Sequence, residues 1–158
     1  MKYNKKNELI ESTIINDNKR EIKRIVIEKY NVNKKPILTA IYNNKNELKG
    51  KESFEYAENG IVTGLKIYNK DGILTLSEKS DAYGRLIERD YVSNGKKVWD
   101  SQLSYDKQGF LGKYTNKLND KQYTYKYTNI DDNGNWLTSV VYNNNTPKFI
   151  IERSISYY

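Results

Sequence analysis

Apolar residues recur at every second position in short bursts, and each burst is closed by a cluster of Asn, Asp and Gly. Tyr123-Thr124-Tyr125-Lys126-Tyr127-Thr128 alternates without a break. Trp99, Leu103 and Tyr105 fall on one side, opposite Asp100, Gln102 and Ser104, and Ile61, Leu65 and Ile67 share a side. Phe149, Ile151, Ile155 and Tyr157 do the same, with Arg153 the exception. A period of two is the signature of a half-buried strand. Residues 8–30 admit a second reading, because Ile22, Ile25, Val26 and Tyr30 also fit helical spacing. The β-branched run Ile25-Val26-Ile27 and the likeness of the segment to Lys148–Tyr158 make strand the better assignment.

The turns between bursts repeat. A Tyr or a substitute is followed by Asn or Asp, two further residues, Gly or Asn, and an apolar residue two places on. The copies are Tyr42-Asn43-Asn44-Lys45-Asn46-Glu47-Leu48, Tyr68-Asn69-Lys70-Asp71-Gly72-Ile73-Leu74 and Tyr105-Asp106-Lys107-Gln108-Gly109-Phe110-Leu111. Degenerate copies start at Ser80-Asp81, closing on Gly84, and at Ile130-Asp131, closing on Gly134 and Trp136. A second turn type carries Asn-Gly or a relative of it: Tyr56-Ala57-Glu58-Asn59-Gly60, Tyr91-Val92-Ser93-Asn94-Gly95 and Tyr142-Asn143-Asn144-Asn145-Thr146. Asn31 and Asn119 sit in the remaining slots. Asn and Asp bond their own backbone and tolerate left-handed φ, while Gly enters that region without steric cost. Asn46, Gly60, Gly72, Gly84, Gly95, Gly109 and Gly134 are therefore the expected structural turn residues.

Turns recur about every 12 residues, leaving about 7–8 residues, or ~25 Å, for each strand. The expected fold is all-β: an antiparallel meander of about 10–12 short strands in a rolled or strongly twisted sheet, closed as a barrel, a sandwich or a β-solenoid. There is no linker and no break in composition, so residues 1–158 are read as a single β-repeat domain, with 1–30 as its first strands and 31–158 as hairpin repeats.

Composition narrows the chemistry. The chain of 158 residues has neither His nor Cys, which excludes a disulfide framework, a thiolate zinc site and every nucleophile that needs an imidazole. Mean hydropathy is −0.90, yet 15 Tyr, 3 Phe and 2 Trp argue against disorder. The net charge of +7 is spread out: residues 1–79 carry 16 basic and 11 acidic side chains, and residues 80–158 carry 11 and 9. Such interleaving reads as solvated strand faces. No stretch reaches the ~20 apolar residues of a membrane span. No apolar run follows the basic start Met1-Lys2-Tyr3-Asn4-Lys5-Lys6, so the chain as written is expected to be cytoplasmic, or secreted or surface-held if a leader has been removed.

The Tyr-Asp-x-x-Gly-x-Leu pattern resembles the YD repeats of the RHS family, most of all the short YD-like β-repeat proteins common in Bacteroidetes. The best-matching stretch runs from Tyr127 through Asp131-Asp132-Asn133-Gly134-Asn135-Trp136 and Val141-Tyr142-Asn143-Asn144-Asn145-Thr146-Pro147 to Tyr158. Thr146 stands where that pattern has Gly, Ile130 stands where it has Tyr, and no core-cleavage motif is present. The resemblance implies β-hairpin repeats, a secreted or surface setting for many relatives, and no enzyme activity. Glu58-Asn59-Gly60 and Asn94-Gly95-Lys96 carry a weaker resemblance to MORN-like repeats of antitoxin-type proteins.

Other groupings have bland explanations. Asp131-Asp132-Asn133-Gly134-Asn135 misses the spacing of a calcium loop and its closing Glu, so it reads as a turn. Glu88, Asp90, Asp100 and Glu152 could meet across strands as glycoside hydrolysis requires, but solvent-facing charge explains them better. Asn144-Asn145-Thr146 fits a glycosylation sequon and reads as turn composition. Tyr123, Tyr125 and Tyr127, with Trp99 and Trp136, are the candidate binding residues: either a core-facing row or a stacking platform. No catalytic residue, metal site or cofactor is expected.

The function expected is a non-enzymatic β-repeat binding module for a protein or glycan surface, an acidic one being favoured by the charge. The alternatives are a small immunity or antitoxin-type protein that blocks a toxin partner, and a carboxylate-dependent glycan-active enzyme. Nucleic acid is disfavoured because no basic stripe accompanies the aromatics.

Overall fold

The computed structural model describes residues 1–15 and 21–158. It is all-β, and its strands follow chain order through an antiparallel meander. The described residues form thirteen strands, close to the expected number of about 10–12, the shortest having two residues. The chain forms two compact units, Met1–Val98 and Trp99–Tyr158. No helix among the described residues is long and apolar enough to cross a membrane.

The first unit holds β1 (Lys2–Tyr3), β2 (Leu9–Ile15), β3 (Glu21–Tyr30), β4 (Pro36–Asn43), β5 (Leu48–Tyr56), β6 (Val62–Asn69), β7 (Leu74–Ser80) and β8 (Leu86–Ser93). β9 (Lys96–Tyr105) begins there and continues into the second unit. That unit is completed by β10 (Leu111–Asn116), β11 (Lys121–Ile130), β12 (Trp136–Asn143) and β13 (Thr146–Glu152). The segment with the helical alternative is strand in β2 and β3, and its residues 16–20 lie outside the described ones.

One turn dominates. In eight turns among the described residues, the first residue's N–H donates to the C=O of the fifth and the fourth residue's N–H donates back to the first. They start at Asn4, Asn31, Asn43, Ala57, Asn69, Asp81, Asp106 and Asp131. The fourth residue always has positive φ, from 59° at Lys34 to 89° at Gly109. In seven of them the side-chain Oδ1 of the first residue also accepts the N–H groups of the third and fifth residues, as at Asp106 from Gln108 (3.0 Å) and Phe110 (2.9 Å). Ala57 has no such oxygen, and there Asn59 Oδ1 accepts the Ile61 N–H instead. The turns at Asn31 and Ala57 thus belong to the first type, and a further copy lies at Asn4. At Asn94-Gly95 and Asn144-Asn145 both central residues have positive φ, as a two-residue hairpin turn requires.

Because the chain reverses at each turn, alternate turns within a unit share an end of its strands. Those starting at residues 4, 31, 57 and 81 in the first unit, and at 106 and 131 in the second, make the working repeat a hairpin of about 25 residues. Within the first unit, side chains stitch turns of one end together. Lys35 Nζ donates to Gly60 C=O (2.7 Å), and Asn59 Nδ2 donates to Ala82 C=O (3.0 Å).

Little of the sheet is covered. Among the described residues Ala40 in the first unit and Val141 in the second are the buried hydrophobic ones, and the other buried positions are Gly50, Gly64 and the polar Thr39, Asp90, Ser101, Asn116 and Ser139. Many of the larger apolar side chains are exposed, among them Ile73 at 50% and Ile150 at 69%.

Candidate aromatic binding face

The second unit gathers its apolar side chains on one face. Antiparallel pairing sets residues side by side on the same face. Leu103 pairs with Tyr114, Tyr114 with Tyr123, Tyr125 with Val141, and Val141 with Phe149. Tyr127 pairs with Ser139, which pairs in turn with Ile151. Side chains of five strands, β9 to β13, are thereby brought into one surface. Tyr114, Tyr123, Tyr125, Val141, Phe149 and Ile151 line a groove of about 360 Å³. Val141 is its buried floor, while Phe149 and Ile151 remain 61% and 44% exposed.

Aromatic rings form two groups on this unit. The Tyr114 and Tyr123 rings lie 6.2 Å apart in the groove. Beside it, the Tyr127 ring stands 5.0 Å from Phe110 and 5.4 Å from Trp136, and the Arg153 guanidinium covers the Trp136 ring at 3.9 Å. The Tyr127 hydroxyl donates to Leu111 C=O (2.9 Å). Burial pushes the Tyr125 phenol above its ordinary value, and the neighbouring Tyr114 and Tyr123 phenols add to the shift. Burial raises Tyr127 in the same way, helped by Tyr125 and Asp106 and opposed by Arg153. Both phenols therefore stay neutral and able to donate hydrogen bonds throughout the physiological range.

Of the five candidate residues, Tyr123 and Tyr125 lie in the groove. Tyr127 and Trp136 form the adjoining ring group, and Trp99 stands apart in β9, 40% exposed. Sequence reasoning did not place Tyr114, Val141, Phe149 and Ile151 with them, because their meeting depends on cross-strand register. Phe149 and Ile151 were visible as a shared side of one strand; what that side faces was not. The expected turn residues Asn46, Gly60, Gly72, Gly84, Gly95, Gly109 and Gly134 all sit at positive φ, between 61° and 89°.

The carboxylates are arranged otherwise. In the first unit Glu88 pairs with Lys79 (3.0 Å) and Asp90 with Lys97 (2.8 Å). In the second, Asp100 lies 4.0 Å from Lys117. Asp131 uses Oδ1 for the N–H groups of Asn133 and Asn135 and Oδ2 for the Tyr157 hydroxyl, so its oxygens serve the turn. Among the described residues no three acidic side chains cluster as a metal site would need. The first unit has its own hollow of about 370 Å³, lined by Tyr3, Glu8, Leu9, Ile27, Tyr30 and Lys34 among others.

No protein-family model matches the chain, and no curated protein matches it. Among solved structures it is similar to part of a chain of the Photorhabdus luminescens Tc holotoxin pore, with a TM-score of 0.44 and 12% identity. The match covers 90% of this chain and 9% of that one.

Proposed function

We propose that this chain is a non-enzymatic β-repeat binding module that engages a protein surface through the aromatic face of its second unit. The observation that carries the reading is the groove between Tyr114, Tyr123, Tyr125, Val141, Phe149 and Ile151. Aromatic rings held by a rigid sheet offer large contact area at low entropic cost, the usual make-up of an interface anchor site. Val141, Phe149 and Ile151 offer no partner to sugar hydroxyls, which favours an apolar side chain of a protein over a glycan. The net charge of +7 favours an acidic surround on that partner, chiefly through the association rate. The resemblance to YD repeats, which implies hairpin repeats without enzyme activity, points the same way.

The test is peptide display against the immobilised protein, followed by calorimetry on the enriched peptides. Peptides with an aromatic or aliphatic anchor should be enriched, and Tyr125→Ala should weaken their binding by about tenfold or more. Tyr125→Phe should bind nearly as the wild type does, and Tyr83→Ala on a turn of the first unit should change nothing. A Tyr125→Ala variant that keeps its near-UV circular dichroism and its affinity would overturn the reading. So would a glycan-array signal in the absence of any peptide binding.

A further inference from the structure

Asparagine followed by glycine is a reactive pair, because glycine has no Cβ to keep its backbone nitrogen away from the asparagine side chain. The chain has three such pairs, Asn59-Gly60, Asn94-Gly95 and Asn133-Gly134. All three asparagines are exposed, yet their turns hold them differently. The Gly60 N–H donates to Ala57 C=O (2.8 Å), and the Gly134 N–H donates to Asp131 C=O (3.0 Å). The Asn59 side chain is also held at both ends. Its Oδ1 accepts the Ile61 N–H (3.0 Å), and its Nδ2 donates to Ala82 C=O (3.0 Å).

Asn94-Gly95 has none of these restraints. It forms the two-residue loop between β8 and β9, with φ of 50° and 72°, and such a loop is closed by the residues that flank it. Among the described residues, neither the Gly95 N–H nor the Asn94 side-chain amide has a hydrogen-bond partner. Charge ranks the pairs in the same way. Lys96 follows Gly95, and a positive neighbour favours an amide anion. Glu58 precedes Asn59, and Asp131-Asp132 precede Asn133, so negative neighbours oppose that anion at both other pairs.

We infer that Asn94 is a self-modification site, converting to aspartate and isoaspartate without an enzyme. Water carries the proton of the Gly95 nitrogen to Asn94 Nδ2, and that backbone nitrogen bonds to Asn94 Cγ. The bond from Cγ to Nδ2 breaks, and Nδ2 leaves as ammonia. The five-membered succinimide so formed then takes up one water. Breaking its bond between nitrogen and Cγ gives aspartate. Breaking the bond between nitrogen and the backbone carbonyl carbon gives isoaspartate, whose main chain runs through Cβ. One water enters, one ammonia leaves, and nothing is oxidised or reduced. Either product sets a carboxylate two residues before Lys96 and lowers the net charge of +7 by one. Aspartate tolerates left-handed φ and keeps the loop. Isoaspartate lengthens the loop by one backbone atom and spoils the match of a two-residue turn to its strands.

Ageing the full chain at mildly alkaline pH, followed by tryptic mapping with electron-transfer fragmentation, tests this, since the three pairs fall in separate tryptic peptides. Asn94 should convert at least about tenfold faster than Asn133, with Asn59 slowest, because each restraining hydrogen bond must first break. In urea the three rates should come within about threefold of one another, since exposed flanking charges act weakly. Equal rates in the folded chain overturn the inference. So does Asn133 or Asn59 converting first, or a spread of rates that urea leaves unchanged. The products give a second readout. Asn94→Asp should unfold at the urea midpoint of the fresh chain, and the isoaspartate form, separated by chromatography, should unfold below it. An isoaspartate form as stable as Asn94→Asp contradicts the lengthened loop.

Discussion

Replacing Asp106 by alanine isolates what the first residue of the repeated turn contributes. Its Oδ1 accepts the Gln108 N–H at 3.0 Å and the Phe110 N–H at 2.9 Å, while the backbone closes the turn separately. Gln108 is exposed, and its N–H can turn to water at small cost. Phe110 is half-buried with its ring 5.0 Å from Tyr127, so its N–H is the one left poorly solvated. The arrangement is that of a helix N-cap, whose loss costs typically about 1 kcal/mol, and the half-buried donor sets the expectation at about 1–1.5 kcal/mol. Asp106→Asn keeps the accepting oxygen and should cost less than about 0.5 kcal/mol. Both tryptophans, Trp99 and Trp136, lie in the second unit, so their fluorescence in a urea titration reports on the affected turn. The midpoint should fall with the slope unchanged. If that unit unfolds on its own, its small size turns 1 kcal/mol into a melting shift of about 4–8 °C. An asparagine variant as unstable as the alanine variant, or an alanine variant indistinguishable from the wild type, would refute the reasoning that the oxygen acts as a cap.

Gly50 and Gly72 are glycines for different reasons. A Cβ on Gly50 would lie 2.2 Å from the Tyr68 carbonyl oxygen, whereas one on Gly72 would meet nothing within 4 Å and suffers only its φ of +79°. Gly50→Ala should therefore cost about 2–3 kcal/mol and Gly72→Ala about 1 kcal/mol, measured by far-UV circular dichroism in urea, and equal costs would sink the distinction. Acid should weaken the fold through particular carboxyls. The Tyr157 hydroxyl beside Asp131 holds its carboxyl below the ordinary range against the effect of burial, with the N–H groups of Asn135 and Asn133 assisting. The Lys2 ammonium does the same for Glu11, again against burial and with help from Arg24. A carboxyl whose folded pKa is depressed stabilises the fold above its unfolded value, near 4, and loses that contribution as pH falls through the folded one. Urea midpoints should thus drop below about pH 4, and Tyr157→Phe should flatten the drop; an unchanged profile in that variant would contradict the role given to Tyr157.

The strands were legible because alternation and turn chemistry are local. Tyr123 to Thr128 and Trp99 to Tyr105 alternate in sequence as they do in β11 and β9. The turn at Ala57 looks in sequence like an Asn-Gly hairpin because its capping oxygen sits on Asn59, two places beyond the first residue. Only the backbone bond between Ala57 and Ile61 shows that the five-residue geometry survives the substitution. The Asn4 turn was hidden differently, since the strand before it has two residues and shows no alternation. The Tyr123, Tyr125 and Tyr127 row was readable, but the groove was not. Whether Phe149 meets Val141 and Tyr125, or their opposite faces, depends on register shifts such as the one between Val141 and Tyr142. A one-residue slip would invert the face, and no local pattern fixes it.

The abundance of tyrosine acquires a physical reason from burial. The residues that are almost fully covered are small: Ala40, Ser101, Asn116 and Ser139. Ser139 lies in a row between Tyr127 and Ile151, and Ser101 pairs with Asn116. Small residues thus stand beside large ones in the cross-strand rows, so a single sheet can supply both the covered layer and its cover. Tyrosine suits this place because its ring shields the backbone while its hydroxyl reaches water or a carbonyl, as Tyr127 reaches Leu111 and Tyr56 reaches Pro36. With few large side chains fully buried, each strand contributes less hydrophobic stabilisation than in a two-layer fold. More of the stability must then rest on the capped turns, which recur at both ends of the strands. The same economy leaves one face of the second unit rich in half-covered rings. A sheet that is its own core thus keeps an apolar side outward, which is the physical ground for the proposal that the chain is a binding surface.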